Sequence, residues 1–127
     1  MKYLKFLAAL LLVGVGTPLI YFGLTPLKIA GVTVDQKPSC DDADDTLTYA
    51  ASRWDGDTLV AGISEPQTCG MLLQSARVQR IGNSLFVRTS YSSLGGPVAT
   101  CICRQNFDVR IPKMPRADYS ISVYNLP

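Results

Sequence analysis

The chain has 127 residues, enough for one domain and little more. Hydrophobic residues make up 47% and charged residues 17%, which excludes a disordered chain. The net charge of +2 is too weak for a nucleic-acid binder, and the absence of histidine removes the commonest general base and the commonest metal ligand.

The first stretch is a membrane segment. Lys2 and Lys5 precede Phe6–Leu24, a run of 19 residues without a charge. One reading is a cleaved secretory signal with an apolar core from Phe6 to Val15. The other is an uncleaved single-pass anchor, which needs about 20 apolar residues. Gly14 and Gly16 offer a cut before Thr17, but Leu19, Ile20, Tyr21, Phe22 and Leu24 continue the run beyond it. Pro18 is tolerated in a membrane span, and Tyr21 and Phe22 suit an interfacial position. The uncleaved anchor over residues 1–24 is therefore preferred. Lys2 and Lys5 keep the N-terminus inside and place the rest of the chain outside.

Cys40, Cys69, Cys101 and Cys103 all follow that segment. An even set of exported cysteines reads as disulfides. Cys101 and Cys103 are two residues apart, so they point to one face of a strand and each takes a distant partner. Two pairings remain open: Cys40–Cys101 with Cys69–Cys103, or Cys40–Cys103 with Cys69–Cys101. A four-thiolate metal site is the competing reading, but the chain has no Cys-x-x-Cys spacing.

Residues 25–45 read as a linker or stalk, with a first strand over Leu27–Val34. Lys37-Pro38 and the acidic run Asp41–Asp45 then break the pattern. Residues 46–127 read as the extracytoplasmic domain. Thr46–Trp54 and Thr58–Glu65 are strand-like, and Asp55-Gly56 between them predicts a type I′ hairpin. Pro66-Gln67-Thr68 breaks the chain. Met71–Ile81 and Ser84–Tyr91 form the next pair through Gly82-Asn83. A two-residue turn there sets Val78 opposite Val87, and also sets Arg77 opposite Arg88, an unfavourable pair unless an acid lies nearby. In Val98–Ile111 the odd positions are almost wholly apolar and include both Cys101 and Cys103, as in a half-buried strand bent near Gln105-Asn106. Pro112–Arg116 turns the chain, and Tyr119, Ile121 and Val123 alternate as a closing strand.

Six or seven strands and no amphipathic helix predict an all-β fold. The expected form is a small antiparallel β-sandwich of immunoglobulin-like type, preceded by one N-terminal transmembrane helix. That label is architectural and carries no function.

Most of the acids lie between Asp35 and Glu65, and seven bases lie between Arg77 and Arg116. Either the domain has an acidic and a basic face, or early and late strands interleave and pair these charges. The second is expected of a sandwich. Asp41, Asp42, Asp44 and Asp45 lack the spacing and the glycine of an EF-hand loop and read as a solvated loop. Pro112-Lys113-Met114-Pro115 is a P-x-x-P string, read here as a turn between strands. No histidine is present to activate a serine, and Lys28, Lys37 and Lys113 sit at stalk or turn positions.

The chain therefore carries no catalytic, cofactor or metal residues by this reading. Its site residues are the four disulfide cysteines. The expected function is a non-enzymatic, single-pass accessory protein of the cell inner membrane, cytoplasmic at its N-terminus and periplasmic or extracellular in its domain. Its sandwich binds other envelope or membrane proteins and no nucleic acid. A signal-processed secreted binding or inhibitor domain is the alternative, and a small envelope metal-binding protein the third reading.

Overall fold

A computed structural model describes residues 26–43, 45–93 and 100–126. The proposed anchor over residues 1–24 lies outside the described residues. Among the described residues no helix is long and apolar enough to cross a membrane.

The chain forms eight strands: β1 (Leu27–Lys28), β2 (Thr33–Asp42), β3 (Tyr49–Asp55), β4 (Thr58–Thr68), β5 (Leu72–Ile81), β6 (Ser84–Ser92), β7 (Ile102–Ile111) and β8 (Ser120–Leu126). They build two four-stranded sheets. Sheet I has the order β1-β5-β6-β8, and sheet II the order β2-β7-β4-β3. Period-two alternation explains the packing: each strand sends every second side chain to one face. Leu59, Ala61 and Ile63 of β4 and Phe107, Val109 and Ile111 of β7 meet Val78, Leu85 and Val87 of sheet I in one buried cluster. Trp54, Tyr119, Ile121 and Val123 pack around its border.

The all-β, two-sheet expectation holds, and the details differ in four places. First, the region read as a stalk joins both sheets. β1 pairs with β5, and β2 pairs with β7 from Thr33↔Arg110 to Asp42↔Cys103. Pro38 does not break β2, because β2 is an edge strand and its register shifts between Gln36 and Cys40. Second, β4 runs through Pro66. Pairing with β3 ends at Tyr49↔Ser64, so Pro66 sits where that neighbour is gone. Third, the long strand expected over Val98–Ile111 starts at Ile102, while 94–99 lie outside the described residues. Fourth, β6 and β8 are parallel, from Ser84↔Ser120 to Ser90↔Leu126. The chain leaves sheet I after β6, crosses sheet II as β7, and returns running the same way as β6.

The connectivity also departs from the immunoglobulin one. A constant-type immunoglobulin sheet joins the first, second, fourth and fifth strands. Here the first strand shares a sheet with the fifth, sixth and eighth.

Both tight hairpins fall near the expected positions. Asp55↔Thr58 closes the first, so its two loop residues are Gly56-Asp57, one step later than expected. Gly56 has φ +62°, and Asp57 is not in the left-handed region. That is the type II′ pattern, with glycine at the first central position, rather than type I′. Ile81↔Ser84 closes the second around Gly82-Asn83, with φ +57° at Gly82. Its register sets Val78 opposite Val87 and Arg77 opposite Arg88, as the sequence predicts.

The P-x-x-P string is a turn. Met114 is buried in the core, and its N–H donates to the Asp57 carbonyl at 3.1 Å. Arg116 stacks on Trp54 at 4.9 Å, Trp54 meets Tyr119 at 6.3 Å, and Arg80 lies over Tyr119 at 5.4 Å. This pair of rings, flanked by a guanidinium on each side, closes the hairpin end of the sandwich.

Candidate functional site

The outward face of sheet II carries the candidate site. Strand alternation turns Ser64 and Gly62 of β4, Asp108 and Asn106 of β7, and Tyr49 and Ala51 of β3 to this side. Opposite residues share a row: Ala51–Gly62–Asp108 and Tyr49–Ser64–Asn106. Ala51 is small and Gly62 has no side chain, so the middle of the sheet is hollow. The result is an open groove of about 570 Å³, rimmed by Lys37, Asp41 and Tyr49. A Cβ placed on Gly62 would come within 3.3 Å of Asp108 Oδ1.

Polar groups of the groove are held in place. Arg53 Nη2 donates to Asp108 Oδ2 at 2.8 Å. This hydrogen bond outweighs burial and holds the Asp108 carboxyl below the usual carboxylate range, with Arg53, Lys37 and Arg110 adding attraction. The same contact raises the guanidinium of Arg53. Asn106 Nδ2 donates to Asp41 Oδ2 at 3.1 Å. Arg104 pairs with Asp45 and lies over the Tyr49 ring at 4.9 Å, while Tyr49 donates to Asp45 at 2.8 Å. Arg110 pairs with Asp55. On sheet II, then, charges from early and late parts of the chain pair: Arg53–Asp108 and Asp55–Arg110 reach from β3 over β4 to β7, and Asp45 before β3 meets Arg104 of β7.

This chemistry suits binding. Ser64 Oγ accepts from Arg104 Nη1 at 3.5 Å, and a guanidinium cannot take a hydroxyl proton. Asp108 is committed to Arg53. What the groove offers is carboxylate, amide and hydroxyl groups with fixed directions around a flat floor.

A second polar cluster lies on the inner side of the same strands. Glu65 is 4% exposed and continues the inward row Leu59, Ala61, Ile63. It accepts from Thr89 Oγ1 at 3.0 Å and Tyr91 Oη at 2.8 Å, both from β6 of the opposite sheet. Burial, with the Glu65 contact behind it, pushes the Tyr91 phenol well above its ordinary value. Gln105 faces Glu65 across the β4–β7 ladder and donates to the Met71 carbonyl at 3.2 Å. These bonds link the sheets where the apolar core ends.

The cysteines flank this end. Cys69 and Cys101 are bridged, with Cα atoms 5.4 Å apart. The bridge prolongs the β4–β7 ladder one step past Thr68↔Ile102, and Cys69 N–H donates to the Cys101 carbonyl at 2.9 Å. Cys101 thus lies outside the strand and is exposed, whereas the sequence places it inward beside Cys103. Cys103 is buried and disulfide-bonded. The Cys69–Cys101 bridge belongs to the second of the two expected pairings. The Cys40 backbone pairs with Gln105 in β2, and its side chain lies outside the described residues. Among the described residues no three metal-ligating side chains converge. Of the acidic run, Asp44 and the Asp42 side chain lie outside the described residues, and Asp41 and Asp45 are engaged by Asn106 and Arg104.

The sequence reading missed both the groove and the buried cluster. Its signal was present: Gly62 interrupts the outward positions of β4, and Glu65, Thr89, Tyr91 and Gln105 continue inward rows with polar residues. Compared with known proteins, the chain matches no family model, no curated protein and no solved structure.

Proposed function

We propose that the protein is a non-enzymatic, membrane-anchored accessory protein of the cell envelope. Residues 1–24 form the uncleaved single-pass anchor, with the N-terminus in the cytoplasm and the sandwich in the periplasm. The sandwich is immunoglobulin-like in the way it presents two faces and a set of loops, not in its strand connectivity. Its groove on sheet II binds an extended segment of another envelope protein. The observation that carries this reading is the hollow over Gly62, which has oriented hydrogen-bonding groups on its walls and no activated nucleophile beside them. A bridged cysteine has no thiolate to offer a metal, which favours partner binding over a cysteine metal site.

Gly62→Val tests the groove. The new side chain fills the floor beside the Asp108 carboxylate, at a backbone position that needs no positive φ. Cross-linking in native membranes, followed by extraction in mild detergent, should give adducts with the wild-type chain. Gly62→Val should lose most of that yield while its thermal midpoint stays within a few degrees. Equal yields from both chains would rule out the groove as the contact surface.

A further inference from the structure

The outward face of sheet I has the opposite electrical character. Its rows follow from the register: Lys28–Gln79–Phe86–Ser122, and next to it Arg77–Arg88–Tyr124. The four strands of sheet I contain Lys28, Arg77, Arg80 and Arg88 and no acid, whereas β2, β3, β4 and β7 carry Asp35, Asp41, Asp42, Asp55, Glu65 and Asp108 against Lys37, Arg53, Arg104 and Arg110, a small acidic excess. Among the described residues the ion pairs all lie on sheet II. Arg77 and Arg88 stand directly opposite each other, an arrangement that weakens a strand pair unless negative charge is supplied. Among the described residues no ion pair supplies it to Arg77 or Arg88.

Beside the arginines, Phe86 and Tyr124 stack with ring centres 6.2 Å apart, and Tyr124 is 50% exposed. Together with Pro26 and Arg88 they line a shallow groove of about 420 Å³. Pro26 follows the end of the apolar stretch at Leu24 by two residues. The chain therefore enters the domain at this face.

We propose that the outward face of sheet I lies on the membrane surface and takes the phosphate groups of acidic phospholipids on Lys28, Arg77 and Arg88. This rests on the anchored reading of residues 1–24. Arginine matches phosphate with a planar fork of donors, and lysine adds a point charge. Phe86 and Tyr124 enter the interfacial zone, where aromatic rings settle. The tether keeps the face at high local concentration near the headgroups, so weak contacts suffice. A negative surface also repels the acidic strands of sheet II, which turns the groove over Gly62 away from the bilayer and toward a partner.

The test uses the full chain inserted in vesicles of phosphatidylcholine alone, or of phosphatidylcholine mixed with phosphatidylglycerol. Arginines are modified with a water-soluble phenylglyoxal, and rates are read by peptide mass. Arg77 and Arg88 should react several-fold more slowly in the phosphatidylglycerol vesicles, with Arg53 unchanged as the reference on sheet II. High salt should erase the difference. Lys28→Gln/Arg88→Gln should erase it at Arg77, and these exposed changes relieve repulsion rather than disturb the core. Equal rates in both vesicles, with the chain resisting carbonate extraction, would overturn the docking and leave the anchor standing. Release by carbonate would overturn the anchor and the docking with it. Protection seen in native membranes but absent from both vesicles would assign the face to an acidic protein and overturn the lipid proposal.

Discussion

A single carboxyl group joins the two sheets where hydrophobic packing stops. Glu65 faces into the sandwich and holds two hydroxyls from β6. A buried polar group without partners costs more than its bonds return, so each partner matters. Tyr91→Phe removes one donor and should lower stability by about 1–3 kcal/mol in urea unfolding at neutral pH. It should also change the alkaline limb. The Tyr91 phenol is raised from its ordinary value of 10.0, chiefly by burial. Below that pH both folded and unfolded chains keep the proton, and the stabilisation is fully present. Above it the unfolded chain releases the proton first, and stability falls as pH rises. Unfolding series above pH 10 should show the wild type converging on Tyr91→Phe. A constant gap across that range would exclude Tyr91 as the titrating group.

Turn chemistry decides how well each strand pair is specified. Gly82 has φ +57°, and a Cβ there would meet no atom within 4 Å. The cost of Gly82→Ala is therefore backbone strain alone, about 1–2 kcal/mol, readable as a lower urea midpoint with an unchanged slope. This hairpin was legible in the sequence because Gly82-Asn83 sits between two alternating runs and a two-residue loop allows one register. The Arg77–Arg88 opposition followed from it. β2 was not legible: Pro38 and the neighbouring aspartates read as a break, and only an edge position with a register shift accommodates them. Pro66 misled for the same reason. The parallel β6–β8 pair left no local trace, since it depends on a crossover through the other sheet. Glu65 was visible only as one more acid in a count, because its inward direction required the register of β4.

Over the whole molecule, the covalent link acts on a long loop. Cys69 and Cys101 are separated by 32 positions, and the loop between them contains all of β5 and β6. Cys69→Ser/Cys101→Ser should cost about 3–4 kcal/mol on the chain-entropy account, measured by unfolding under non-reducing conditions. A non-reduced digest of the wild type should yield the two peptides joined. The opposed characters of the sheets also belong to this scale. Among the described residues the ion pairs lie on sheet II, and none engages Arg77 or Arg88 on sheet I. The sequence has an acidic half and a basic half, yet strand interleaving divides the bases between a sheet with ion pairs and one with none among the described residues. That division follows from sheet membership, which no linear pattern reveals.

The place of β7 between β2 and β4 has a consequence for how the protein is made. Synthesis delivers Cys40 and Cys69 before either Cys101 or Cys103, and before the strand that separates β2 from β4 exists. Under the export proposed above, an oxidase acting on the emerging chain meets only the first two thiols. Joining them would tie β2 to the end of β4 and shut β7 out of the centre of its sheet. Native assembly therefore requires oxidation to wait for the last third of the chain, or a thiol-exchange catalyst to undo what was formed too early. On the exported reading, loss of the compartment's disulfide-isomerising machinery should lower the yield of the Cys69–Cys101 bridge wherever oxidation runs ahead of synthesis.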